Sequence, residues 1–128
     1  MSAREFNSDV FKLSLKLTKD IRALVWKMPN TDQFTIGQQI LRAALSIPSN
    51  ISEGFGRNSD AQILNFLNIA NGSCCEVISQ LMVIDDERIN PNSDINESNY
   101  ELKDMIESTL NIKQQLRKLI HFYTNKKN

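Results

Sequence analysis

The feature that most constrains this chain is a run of apolar residues between 63 and 84. Ile63, Leu67, Ala70, Cys74, Val77, Leu81 and Ile84 recur at alternating steps of four and three. That 3.5-residue average is the seam of a helix packed at a shallow angle on other helices. Ser59 followed by Gln62 is a capping-box arrangement for its start, and Phe66, Ile69 and Ile78 widen its apolar surface beyond one neighbour's needs.

Three more segments carry helical periodicity. Val10, Leu13, Leu17, Ile21, Leu24 and Met28 predict a first helix from Ser8 or Asp9 to about Met28, ended by Pro29, with a short turn over residues 30–33. Lys12, Lys16 and Lys19 fall on another face of it. Ile36, Ile40, Ala44, Ile47 and Ile51 predict a second helix from Thr35. Pro48 lies inside it and is expected to kink it, freeing the carbonyl of Ala44. Leu102, Met105, Thr109, Ile112, Leu116, Leu119 and Tyr123 predict a fourth helix, starting between residues 94 and 98 and ending near Thr124, after a loop at Asn90, Pro91 and Asn92. The fold expected is all-α: an antiparallel up-down-up-down four-helix bundle, its second helix kinked at Pro48. It forms one domain over residues 1–128, with an ordered core of about 8–124.

With 15 basic and 15 acidic residues the net charge is zero, but the distribution is uneven. Residues 1–57 carry 8 basic and 5 acidic groups, residues 58–107 carry 2 and 10, and residues 108–128 carry 5 and none. In an up-down bundle the first and fourth helices are neighbours. Lys12 and Lys16 are therefore expected to share a basic end with Arg117, Lys118, Lys126 and Lys127, a surface able to attract phosphate. No signal-like apolar core or membrane span is evident. Two adjacent cysteines make no disulfide framework, which fits a reducing cytoplasm.

Catalytic and metal patterns are missing. A di-iron bundle needs Glu-x-x-His pairs, and the single histidine, His121, has Lys118 three residues before it. Cys74, Cys75 and His121 are a poor zinc set. There is no nucleophile motif, and the glycines of Glu53-Gly54-Phe55-Gly56-Arg57 lack the Lys-Ser/Thr of a phosphate loop. No enzyme, metal, cofactor or small-molecule substrate is expected.

The most unusual stretch, SIPSNISEGFGRNS from Ser46 to Ser59, has an architectural explanation. It is a helix-to-helix corner in which Ser46, Pro48 and Asn50 manage the proline break, with Asn50 and Glu53 satisfying freed backbone groups. Gly54 and Gly56 supply the exit, and Ser59 caps the next helix. Arg57 stands where the next helix's dipole disfavours a cation, so it either pairs with Glu53 or meets an anion. Arg42, inside the apolar second helix, poses the same choice.

Those residues also carry a resemblance. Gln39, Arg42-Ala43-Ala44, SIPSN at 46–50, Glu53-Gly54, Gly56-Arg57 and Ser59 resemble the signature of the 23S rRNA intervening-sequence proteins, also labelled ribosomal protein S23. The likeness continues through Phe66-Leu67, Ile69-Ala70, Gly72-Ser73, Glu76 and Gln80-Leu81, covering roughly residues 6–123. Gln62 and Ile78 stand where the family usually has Glu, and its usual glycine near residues 85–87 is missing. The resemblance implies a four-helix bundle that assembles as a ring-shaped homopentamer, and genes found in insertions within large-subunit ribosomal RNA genes. It also implies kinship with accessory proteins of diversity-generating retroelements, which are implicated in nucleic-acid binding.

The function expected is therefore a non-catalytic oligomer that binds RNA or another nucleic acid. Arg42 and Arg57 are candidate phosphate contacts, and Lys12, Lys16, Lys19, Arg117 and Lys118 form the electrostatic surface. No aromatic stacking platform is evident. The alternative is a protein-interaction scaffold whose corner motif is purely structural, held together by Leu41, Leu45, Phe66, Ile69, Ile78 and Leu110. Steep salt dependence separates the two.

Overall fold

The computed structural model describes residues 8–85 and 99–126. Four long helices dominate: α1 (Asp9–Trp26), α2 (Gln38–Phe55), α3 (Asp60–Asp85) and α4 (Asn99–Asn125). Each packs on the next, and α1 also packs on α4, which closes the bundle. Ion pairs fix the directions. Lys27, just past α1, lies 3.3 Å from Glu101 in the first turn of α4, and Lys126 at the far end of α4 lies 3.6 Å from Asp60 at the start of α3. Both pairs require antiparallel neighbours, as the up-down-up-down expectation has it. The expected loop at residues 90–92, the start of the fourth helix between residues 94 and 98, and Lys127 lie outside the described residues.

The seams lie where periodicity put them. Leu67, Ala70, Cys74, Val77, Leu81 and Ile84 of α3 are buried against Leu17, Ile21, Leu24, Ile40, Ala44, Ile47, Ile51, Leu102, Ile112 and Leu116. Each such Leu or Ile contributes about 1.5–3 kcal/mol by leaving water. Three buried hydroxyls interrupt the core, and each donates to a carbonyl of its own helix: Ser14 to Phe11 (2.7 Å), Ser73 to Ile69 (3.1 Å) and Thr109 to Met105 (2.7 Å). α3 is also long and apolar enough, at a mean hydropathy of 1.2, to meet the composition of a membrane span, which the sequence reading did not anticipate. A helix whose seam is the centre of a bundle meets the same criterion.

α1 begins as expected, with the Ser8 hydroxyl accepting from the amide of Phe11 at 3.4 Å. It ends two residues early, and a tight turn then carries Met28 into the core. The next segment departs from the expected loop and from a helix beginning at Thr35. Asn30–Asp32 is already a helical turn, and Gln33–Gly37 is a π-helical segment whose widened geometry shows in the Gln38 amide donating to the Gln33 carbonyl. Two features hold it there. The Gln33 side-chain amide donates to the Met28 carbonyl at 2.8 Å. At Gly37 the backbone comes so near α1 that a Cβ would stand 2.9 Å from Cγ1 of Val25.

α2 continues through Pro48 as one helix. Proline has no N–H, so the Ala44 carbonyl loses its helical donor. The Thr18 hydroxyl of α1 shares its one proton between the Ser14 oxygen of its own helix, at 2.8 Å, and the Ala44 oxygen, at 3.3 Å.

Candidate nucleic-acid interface

Two regions hold the candidate residues: the corner between α2 and α3 with the groove that leads from it, and the outer surfaces of α1 and α4. At the corner, the Asn50 amide donates to the Ser46 carbonyl at 2.8 Å and to the Ser46 hydroxyl at 2.9 Å. The Ser46 and Ser73 hydroxyls meet at 2.8 Å. Because Ser73 gives its proton to Ile69, Ser46 is the donor between them, and one ordered chain of hydrogen bonds ties α2 to α3.

Gly54 is buried within α2. A Cβ there would stand 3.2 Å from Cβ of Phe66, so this glycine lets α2 and α3 approach. That corrects its expected role as a helix exit. Gly56 is the C-cap, with φ −84° and ψ −2°, and no described residue has a positive φ. Ser59 does cap α3, accepting from the Gln62 amide at 3.2 Å.

Glu53 was expected to satisfy freed backbone groups. Its carboxylate instead takes Arg57, with Nη2 of the arginine 2.9 Å from Oε2. The Arg57 guanidinium also lies 4.8 Å from the centroid of the Phe66 ring. The choice left open for Arg57 thus falls on pairing.

Arg42 is exposed and lines a polar groove of about 440 Å3 between α2 and α3, with Gln39, Ser46, Ser73, Glu76 and Gln80. These are all residues of the motif that carried the resemblance. Oε1 of Gln80 is buried with no hydrogen-bond partner among the described residues. The groove presents both charges, so it suits a polar partner better than a bare polyanion.

Arg117 and Lys118 are consecutive and so point about 100° apart around α4. Arg117 shares a surface with Glu107 and Lys113, whereas Lys118 borders the start of α1 beside Asp9. Lys126 reaches Asp60 and stands 5.8 Å from the centroid of the Tyr123 ring. Lys16 holds Asp20 at 2.9 Å, and that hydrogen bond and charge keep its ammonium above the ordinary lysine value.

Lys12 and Lys19 lie on α1. Both are exposed on the outward face of α1 with no ion pair among the described residues. Arg22, three residues beyond Lys19 and one turn along the same side, is equally exposed and unpaired. The sequence reading missed Arg22 because it breaks the four-three spacing of the lysines. Helical geometry carries this stripe towards Trp26, which is 79% exposed and borders a cleft with Phe34, itself 72% exposed. The π-helical segment brings Phe34 back to the last turn of α1, which the sequence pattern did not indicate.

Cys74 is buried, and burial pushes it up to about 12, so it stays protonated at neutral pH, while Cys75 is exposed. Among the described residues no three His, Cys, Asp or Glu side chains gather as metal ligands.

The fold and its corner define the class first: an all-α, antiparallel four-helix bundle with a proline-bearing second helix and a polar α2–α3 seam. The family model for the 23S rRNA-intervening sequence protein matches residues 7–118, so the chain belongs to that family. A crystal structure from Bacteroides thetaiotaomicron is similar, that of a protein with unknown function from the S23 ribosomal protein family. It matches with a TM-score of 0.75 and 26% sequence identity, over 88% of this chain and 95% of that one. No curated protein matches the chain.

Proposed function

We propose that this protein is a non-catalytic, homo-oligomeric RNA-binding bundle of the cytoplasm, and that α1 is its contact surface. One observation carries the reading: Lys12 and Lys19 are exposed on one outward helix face with no ion pair among the described residues, and Arg22 extends the row. Counterions released from phosphate supply such binding, so a cation already neutralised by a neighbour contributes less. Arg57 and Lys16 are each held in an ion pair. Membership of a family described by a ribosomal RNA insertion supports the choice of polyanion. Repetition in a ring, the pentamer implied by the resemblance, multiplies a three-cation stripe into a multivalent one. The exposed apolar side chains Leu45, Ile69, Met82 and Leu110 support self-association. They are also what favours the second reading, a protein scaffold in which no nucleic acid takes part.

Fluorescence anisotropy of a structured ribosomal RNA fragment, at low and high salt, tests this. We expect micromolar or tighter binding that weakens steeply with salt. Replacing Lys12, Lys19 and Arg22 together by Glu is expected to cut affinity by at least ~10-fold and flatten the log–log salt slope by roughly one per cation removed. No binding even at low salt overturns the reading in favour of the scaffold.

A further inference from the structure

Two of the largest exposed apolar side chains, Trp26 and Phe34, share one cleft at the end of the bundle where α1 meets the π-helical segment. Arg22, Val25, Gln38 and Leu41 line it with them. Its volume, about 270 Å3, falls just below the ~300–1,000 Å3 of pockets that enclose a drug-sized ligand, which leaves room for a flat ring.

We propose that this cleft is a nucleobase-binding site, in which one unpaired base of a single-stranded RNA stacks on Trp26 and Phe34 while Arg22 and Lys19 take the adjoining phosphates.

Four observations converge on that occupant. Two aromatic faces left to water are unfavourable without a partner, and every base offers a π-face to stack on them. The cations leading to the cleft are unpaired and of one sign, which matches a phosphate backbone entering along α1. Gln38 is exposed and lines the cleft, where its amide can both donate to and accept from a base edge. The cleft is also built rather than accidental. The Gln33 amide bridges the carbonyls of Trp26 (3.4 Å) and Met28 (2.8 Å), fixing the two walls to one another. Gly37 packs beneath them, where a Cβ would strike Val25. π-helical segments are rare and recur at functional sites.

The inference rests on the RNA-binding reading and adds to it a single-stranded preference. Trp26 is the chain's one tryptophan, so its emission reports on this cleft and nothing else. Two probes decide the matter: a non-self-complementary single-stranded RNA oligomer, and an abasic oligomer of the same length with the same phosphates. We expect the RNA to quench Trp26 and to bind about tenfold more tightly than the abasic strand, in keeping with stacking on aromatic rings. Phe34→Ala is expected to erase that preference while leaving abasic affinity unchanged. Because both rings are exposed, helicity by circular dichroism should hold in Phe34→Ala and Trp26→Ala alike.

Equal binding of both probes without quenching overturns the base site and leaves the RNA reading standing. Binding of neither removes both. Trp26 emission that moves to the blue with protein concentration, with no RNA present, overturns the site in favour of a second copy of the chain covering the cleft.

Discussion

The corner between α2 and α3 and the outer face of α1 reverse the roles their sequences suggest. The corner is dense with unusual residues, yet most of what looks odd in it is answered from within. Asn50 and Ser46 join the helices, Gly54 makes room for Phe66, and Arg57 is held by Glu53 and the Phe66 ring. α1 reads as an ordinary amphipathic helix, yet along its outer face it carries two lysines and an arginine with no ion pair among the described residues, and a tryptophan turned to water. An unusual motif signals constraint, and the constraint here is packing. Unmet chemistry, which is what a partner recognises, sits on the plainer element.

Mutation can break this contrast, and the largest effect belongs to the corner. Gly54→Val places a branched side chain where one Cβ is already 3.2 Å from Phe66. Overpacking of that kind costs about 2–3 kcal/mol, to be read as a lower urea midpoint at unchanged slope. RNA affinity per folded molecule should not change, and a selective loss of affinity would return the corner to the interface. Arg57→Ala comes next. It removes an exposed ion pair and a cation–π contact, together worth about 1 kcal/mol, again with affinity unchanged. Smallest for stability is Lys19→Ala, within about 0.5 kcal/mol of the parent protein, yet its affinity for RNA should fall two- to several-fold and recover little at low salt. An Arg57→Ala protein that binds worse than Lys19→Ala would invert the comparison.

Periodicity made the bundle legible. A residue such as Leu81 or Ile112 announces its burial by its spacing alone, because a helix repeats its faces whatever surrounds it. Ser8 and Ser59 marked helix starts for the same local reason. Relations between distant residues were not legible. Gly54 is needed because of Phe66, twelve positions on and in another helix. The aromatic cleft was missed because residues 30–33 read as a turn. Only the π-helical segment, with Gln33 tied to the end of α1, places Phe34 beside Trp26.

The hydrogen bond between Thr18 and the Ala44 carbonyl bears on how the chain avoids misassembly. Amphipathic helices with repeating seams can slide past one another by a turn, about 5.4 Å, and still lay apolar rows together. Pro48 leaves one carbonyl of α2 without its helical donor, and Thr18 answers it from the side facing α2. A slipped pairing would strand that buried acceptor at a cost of about 1–3 kcal/mol. The proline thus acts as a notch and the threonine as its key, fixing the alignment of two helices whose apolar residues alone would tolerate several.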